Sequence, residues 1–493
     1  MLRLILIYLL LNFAAFKDAK QFNIINYGAK GDAITLNTNT IQKAIDDAHA
    51  NGGGTVIIPK GIFLSGSIFL KTGVTLQLEK GGTLLGSTNI IDYKPIHVWK
   101  ALIIADSCSH IAITGKGVID GQGAKLALNI DSLFYRGEID SHYYEFSEKR
   151  VYATLRPQII QFQKCDDIKI TDVTIKNSAC WVQTYEKCSN LAIDNITVLS
   201  DEYWNNDGID VIDCKNVSIT NCFINASDDG ICLKSEDLTK TYFSDSIYIS
   251  NCTIRSSASA VKFGTSLVSG IKNVVIKNIK IYDTYRSAIA IESTQGGYIE
   301  NVLIENIVAK NTGNALFIRI GRIRGAPKAG PLKNVVIRNM KVWVPFAPPD
   351  IKYNIRGPAL PFFHNVFPSS ITGNPGVFVE NVLLENIEII YPGKGNKAFA
   401  NLPLWRVKSI PDLETAYPEF SMFGELPAWG FYIRHVKGLE MKNIKLKILE
   451  PDYRPSIVFD NVHDVKINNL NIIGDSKKHA YFAIDTTNFM HLN

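Results

Sequence analysis

The sequence predicts an all-β chain, a single-stranded right-handed parallel β-helix with a short N-terminal capping helix and long loop insertions. Two observations carry the prediction. From about residue 165 onward a short phrase recurs, an alternating apolar strand, a polar residue, Asn and another apolar pair. Its copies are IDNITV at Asn195, ITNCFI at Asn221, ISNCTI at Asn251, IKNIKI at Asn278, IENIVA at Asn306, IRNMKV at Asn339, LENIEI at Asn386, MKNIKL at Asn443 and INNLNI at Asn469, with ITDVTI at Asp172 as a variant. The tightest spacings, 23 to 33 residues, suit a coil of three short strands joined by turns. The strands alternate with period two and are rich in Val and Ile, and no room is left between them for helical crossovers, so the repeat is a parallel solenoid.

Length is compatible with this reading. The 493 residues, 46% hydrophobic and 20% charged, could fill several ordinary domains, but a solenoid uses such a length as one body because each coil buries its face on the next. The expected organisation is a leader over 1–19 followed by one β-helix over 20–493. The leader carries Met-Leu-Arg and then a mainly apolar stretch from Leu4 to Phe16, too short to span a membrane and suited to a signal-peptide core. Export is therefore expected, to a secreted or periplasmic location. A helix is predicted from Thr40 to Asn51, with Asn39 as N-cap, one apolar face (Ile41, Ala44, Ile45, Ala48) and a stop at Gly52-Gly53-Gly54. It is placed to cover the open end of the solenoid, where unpaired strand edges and apolar interior would meet water.

An irregular stretch, 124–156, follows. In the repeats, each Asn is expected to turn its amide inward at the bend and bond the backbone or the Asn of the next coil. Two spacings are long, 47 residues from Asn339 to Asn386 and 57 from Asn386 to Asn443. Insertions are accordingly placed at 340–385 and 387–442, both rich in Pro and aromatics (Phe346, Pro348, Pro349, Phe362, Phe363; Trp405, Tyr417, Phe420, Trp429). All eight cysteines lie between residues 108 and 252, none with the two-residue gap of zinc knuckles, and are expected to be free, buried thiols. No cofactor and no metal is expected. A net charge of +5 without a basic run excludes a nucleic-acid partner, and a monomer is expected.

The chemistry is concentrated in three neighbouring coils: Asn205-Asn206-Asp207-Gly208-Ile209-Asp210, Ser227-Asp228-Asp229-Gly230-Ile231-Cys232 and Ala258-Ser259-Ala260-Val261-Lys262. Asp207 and Asp229 each precede a Gly-Ile step, so they are equivalent positions about 4.8 Å apart on adjacent strands. Asp228 is one residue earlier. Three carboxyls at one spot push at least one pKa upward and supply a protonated acid beside ionised bases, as glycoside hydrolysis requires. Continuing the alignment gives Asp210, Cys232, Lys262, Ala290 and Phe317 in one row and Ile212, Lys234, Gly264, Glu292 and Arg319 in the next. Lys234, Lys262 and Arg319 then share the side of Asp228, and a cationic floor suits a uronate-bearing substrate. Asn205, Lys234, Lys262, Glu292 and Arg319 are the candidate substrate-binding residues. No histidine falls between residues 143 and 363, which argues against a Ser-His hydrolase or a His-bound metal in this cleft.

At this point the motifs resemble those of the polygalacturonase family, glycoside hydrolase family 28. The resemblance rests on Tyr27-Gly28-Ala29-Lys30-Gly31-Asp32, Asn37-Thr38, the triple glycine, Leu70-Lys71 and Gly117-Val118-Ile119-Asp120-Gly121, and more specifically on Asn206-Asp207 with Asp228-Asp229. It implies a pectin-active β-helix in which Asp228 is the general acid and Asp207 and Asp229 activate water in a single inverting displacement. Two segments depart from the family pattern: Ala258-Ser259-Ala260 stands for Gly-His-Gly and Ala290-Ile291-Glu292 for Arg-Ile-Lys. A branched pectin, a rhamnogalacturonan fragment or another uronide is then the better-fitting substrate, and the three insertions are expected to wall one end of the cleft and make the enzyme exo-acting. A β-helix polysaccharide lyase and a non-catalytic carbohydrate-binding solenoid are the competing readings.

Overall fold

In the computed structural model the described residues are 20–347, 349, 366–400, 402–475 and 481–492. The leader, Pro348, Phe362 and Phe363 lie outside them. Strands of successive coils pair in parallel register from Gln21–Asn23, which pairs with Gly54–Ile58, to Thr487–Leu492. One interior column shows the principle: Ile168, Leu191, Val217, Ile247, Val274, Val302 and Val335 are consecutive register partners, all buried. Each coil covers the apolar face of the one before, so the core is a continuous rod of aliphatic side chains.

The repeated asparagines bond to one another between successive coils, as expected, but they do so at the surface instead of turning inward. They stand at exposed bends in the left-handed backbone region, with φ between 52° and 59° for Asn221, Asn251, Asn278, Asn306, Asn339, Asn386, Asn443 and Asn469. Asn tolerates that conformation better than other residues with a Cβ. From Asn251 onward each amide donates to the side-chain oxygen of the preceding Asn, as in Asn278 to Asn251 (3.1 Å) and Asn386 to Asn339 (2.9 Å), so the ladder runs along the outside rather than inward. A second ladder, missed in the sequence, runs through Asn273, Asn301, Asn334 and Asn381.

The first helix, α1 (Thr38–Ala50), begins two residues earlier than expected. Asn37 rather than Asn39 precedes it, and its side chain is used by the neighbouring loop: it accepts from the Lys30 amide and donates to the Lys30 and Thr35 carbonyls. Ile41, Ala44, Ile45 and Ala48 are all fully buried. Gln42 of α1 exchanges two hydrogen bonds with the backbone of Phe69, pairing strand-edge groups that would otherwise face water.

The stretch 124–156 is not irregular. It contains helix α2 (Gly123–Tyr135) and a short hairpin of Tyr144–Glu145 with Arg150–Val151. Leu126, Ala127 and Ile130 of α2 are buried, and Phe134 stacks on Tyr144 at 4.0 Å. The two later insertions are narrower than the Asn-to-Asn spacings suggest, because Ser369–Thr372, Val379–Tyr391 and Phe431–Ile448 belong to ordinary coils. All eight cysteines are free, seven of them buried and Cys108 half-buried. Cys188 and Cys214 stack in successive coils, where the Cys188 amide donates to Cys214 Sγ at 3.3 Å.

Candidate active site

One face of the solenoid carries the distinctive residues, on strands β1 (Gln183–Glu186), β2 (Ile209–Ile212), β3 (Ile231–Ser235), β4 (Val261–Leu267), β5 (Gly270–Ser293) and β6 (Tyr298–Ile320). The first row read from the sequence is the observed register: Asp210 pairs with Cys232, Cys232 with Lys262, Lys262 with Ala290 and Ala290 with Phe317, whereas the second row is interrupted by a register shift between Leu233 and Ser235. Ile212 pairs with Lys234 and Glu292 with Arg319.

The aspartates lie on the turns that lead into these strands. There Gly208 N–H donates to the Asp229 carbonyl (2.9 Å) and Gly230 N–H to the Ser259 carbonyl (2.9 Å), so the turns stack as tightly as the strands. Glycine is required at both steps, since a Cβ on Gly208 would come 2.5 Å from the Gly230 carbonyl oxygen, and one on Gly230 would come 2.6 Å from that of Ala260. The recurring Asp-Gly pair thus reports close stacking that brings the carboxyls together. Oxygens of Asp207 and Asp229 and the Cys232 sulfur lie within 4.8 Å of one another.

Lys234 and Lys262 interleave with the carboxylates. The Lys234 ammonium is 2.5 Å from Asp210 and 3.3 Å from Asp207, and that of Lys262 is 3.1 Å from Asp229 and 3.9 Å from Glu292. With these cations in place, the positive charge a divalent ion would bring to Asp207 and Asp229 is already supplied. Asp207, Asp210, Asp229, Glu292 and both lysines are buried, whereas Asp228 is half-buried and faces outward. Asp228 Oδ1 accepts from the Asp229 amide (3.0 Å), and Oδ2 lies 3.5 Å from Asn205 Nδ2. Asn205 is oriented by Arg156, a buried residue that sequence reasoning missed, which donates to Asn205 Oδ1 at 2.7 Å and to the carbonyls of Val151, Ala179 and Trp204.

Five carboxyls here meet three cations, the third being Arg286, so they cannot all be ionised at their ordinary values. Burial, reinforced by the neighbouring Asp210, pushes Asp207 well up. Burial raises Asp210 to about 6 against the pull of Lys234. It also raises Asp228, assisted by the charge of Asp229. Asp229 goes the other way: burial alone would raise it, but Lys262, Arg286 and the Ser259 amide hold it below the usual carboxylate range. Glu292 is pushed up to about 7, mainly by burial. Adjacent residues 228 and 229 therefore differ in proton affinity in opposite directions, which is the arrangement acid and base roles need.

Arg286 was legible but overlooked. Its amide donates to the Ala258 carbonyl, so it stands one coil beyond Ala258 in the column of Asp228, and it pairs with Glu419 at 2.8 Å. Arg319, by contrast, is not brought to the aspartates. Its guanidinium donates to the carbonyls of Gly373 (2.9 Å) and Asp412 (2.5 Å) and lies over the Phe423 ring.

The loop between residues 392 and 430 crosses this face beside the aspartates. Arg322 and Arg434 join Arg319 in fixing it, through Glu414 and Asp412. Its Phe420 packs on Ala290, Phe317 and Phe367, and its Leu402, Val407, Ile410, Phe423 and Leu426 pack on Tyr432 and Val458. Tyr417 reaches back to Thr265, hydroxyl to hydroxyl at 3.0 Å. On the opposite side of the aspartates lie the half-buried Trp99 and Trp181, whose rings are 4.7 Å apart. Lys234 lies 3.6 Å from the centre of the Trp181 ring.

A sequence profile of glycosyl hydrolases family 28 matches residues 50–343, more than half of the chain and the whole aspartate cluster. The chain belongs to glycosyl hydrolases family 28. Its family 28 relatives include an exo-poly-alpha-D-galacturonosidase of Dickeya chrysanthemi, 27% identical over 339 residues (59% of this chain, 55% of the relative), and a probable polygalacturonase of Vitis vinifera, 27% identical over 344 residues (65% and 60%). The chain thus spans little more than half the length of these relatives. Among solved structures, the family 28 exopolygalacturonase of Yersinia enterocolitica superposes with a TM-score of 0.62 at 20% identity, covering 96% of this chain and 78% of that one. The exopolygalacturonase of Thermotoga maritima does so with 0.58 at 23% identity, covering 76% and 87%. Both share the β-helix fold.

Proposed function

We propose that this family 28 protein is an exo-acting, inverting hydrolase of glycosidic bonds in a pectic or related uronate-containing glycan. The observation that carries the reading is the opposed pair at one turn. Asp228 is half-buried and has its proton affinity raised, while that of Asp229 next to it is lowered by Lys262 and Arg286. Asp228 then protonates the leaving oxygen as general acid, and Asp229 with Asp207 activates water from the same cluster. Asn205 steers the acid, and the Trp99–Trp181 pair offers a platform on which sugar rings stack. Lys234, Lys262 and Glu292 act beneath this surface, setting the charge of the carboxyls. Arg319 contributes through the loop it fastens. No described helix is long and apolar enough to cross a membrane.

Exo action is supported by the fastened loop, which meets Arg286 through Glu419 and Thr265 through Tyr417 beside the aspartates. On a long pectic substrate, one small product is expected from the first minutes while viscosity stays high. An early collapse of viscosity with mixed oligomers would refute exo action. Proton NMR of the first-formed sugar is expected to show inversion.

The roles also set a pH response. Lys262 holds Asp229 ionised, so in Lys262→Gln this carboxylate takes up its proton at a higher pH, and the acid-side fall of kcat/KM moves upward by roughly one unit or more. An unmoved acid limb would remove Asp229 from the base role.

A further inference from the structure

We infer that the sugar unit seated between Asp228 and the loop wall is uncharged, and that Glu419 enforces this by occupying Arg286. The inference rests on the hydrolase reading and narrows its substrate. The cations that reach the catalytic carboxylates are each taken by a protein acceptor. Lys234 is held by Asp207 and Asp210, Lys262 by Asp229 and Glu292, and Arg286 by Glu419. Arg319, one coil further, donates from its two terminal nitrogens to backbone carbonyls.

The Lys262–Glu292 pair is buried in the floor, but Arg286 and Glu419 keep 19% and 28% of their side-chain surface and border the open space, as does Tyr417 at 49%. A free uronate there would have to displace Glu419 from Arg286 and sit beside the ionised Asp229. Like charges brought together this closely cost several kcal/mol, and a built-in repulsion of that kind is how a site rejects a partner. Sugar hydroxyls face no such penalty. They donate to carboxylates, and the Glu419 oxygens and the Tyr417 hydroxyl are placed to receive them. The substrate class is therefore a glycan end that presents a neutral sugar, or a uronate masked as an ester, rather than a run of free uronates.

The test measures binding by calorimetry to the slow Asp228→Asn protein, using trigalacturonate and its methyl triester as probes. The triester is expected to bind roughly ten times more tightly or better, the scale of one charge-assisted contact. Adding Glu419→Gln frees Arg286 for the carboxylate and is expected to abolish or invert that preference. Tighter or equal binding of the free acid to the Asp228→Asn protein, a preference unchanged by Glu419→Gln, or binding of neither probe would overturn the inference. Wild-type protein that binds the triester but cleaves no glycan would count against the hydrolase reading instead, with the charge preference standing.

Discussion

Asp228→Asn is expected to lower kcat by about two powers of ten or more with the fold intact, the loss typical when a general acid is removed. The amide is nearly isosteric with the carboxyl. Its oxygen still accepts from the Asp229 amide, and the side chain is half-buried at the mouth of the cluster rather than in the core. What disappears is the ionisable carboxyl whose proton affinity burial and the charge of Asp229 raise. Turnover with substrate in excess, read beside the thermal unfolding midpoint, checks it. A folded variant with near-normal turnover would sink the assignment, and equal loss in a variant that melts far lower would point to structure instead.

The largest expected stability effect belongs to Lys234. Its ammonium is buried between Asp210 and Asp207, and replacing it with Met keeps the volume but strands two carboxyls in a place that water does not reach. Breaking a buried pair from one side costs about 3–5 kcal/mol, so Lys234→Met should unfold at markedly lower urea concentration at pH 7. The sign of the pH dependence follows from the same groups. Asp210 is already raised to about 6, and without Lys234 it rises further, so the folded form binds protons that the unfolded form releases. That contribution favours the folded state at low pH and is lost as pH rises through the raised value. The deficit relative to wild type should shrink between pH 7 and pH 5, and Asp210→Asn in the same chain should restore part of it. Equal urea midpoints at pH 7 would mean that the cluster tolerates the missing charge.

Much of this molecule is written locally. The Asn phrase set the solenoid and its period, because a left-handed bend that only a few residue types tolerate has to recur once per coil. The row from Asp210 to Phe317 followed from counting, since parallel strands stacked in register keep equivalent positions matched, whereas a register shift after Leu233 interrupts the row from Ile212 to Arg319. Extending that count one turn earlier would have found Arg286. Helix α2 escaped because its first turn has no side-chain cap: Gln122 precedes it in the left-handed region, where Ser, Thr, Asp or Asn would have marked the start.

By itself, then, the sequence determined the repeating coil, the strand register and the meeting of Asp207, Asp228 and Asp229, all properties of nearest neighbours along a solenoid. Only the tertiary structure decided how that cluster is used. Arg156 reaches Asn205 across 49 residues, and Tyr417 reaches Thr265 across 152. Glu419 meets Arg286 because aromatic packing brings a distant loop over the groove. Those contacts carry no period and no spacing rule, so the surroundings of the aspartates emerge only when the loop and the coils are seen together.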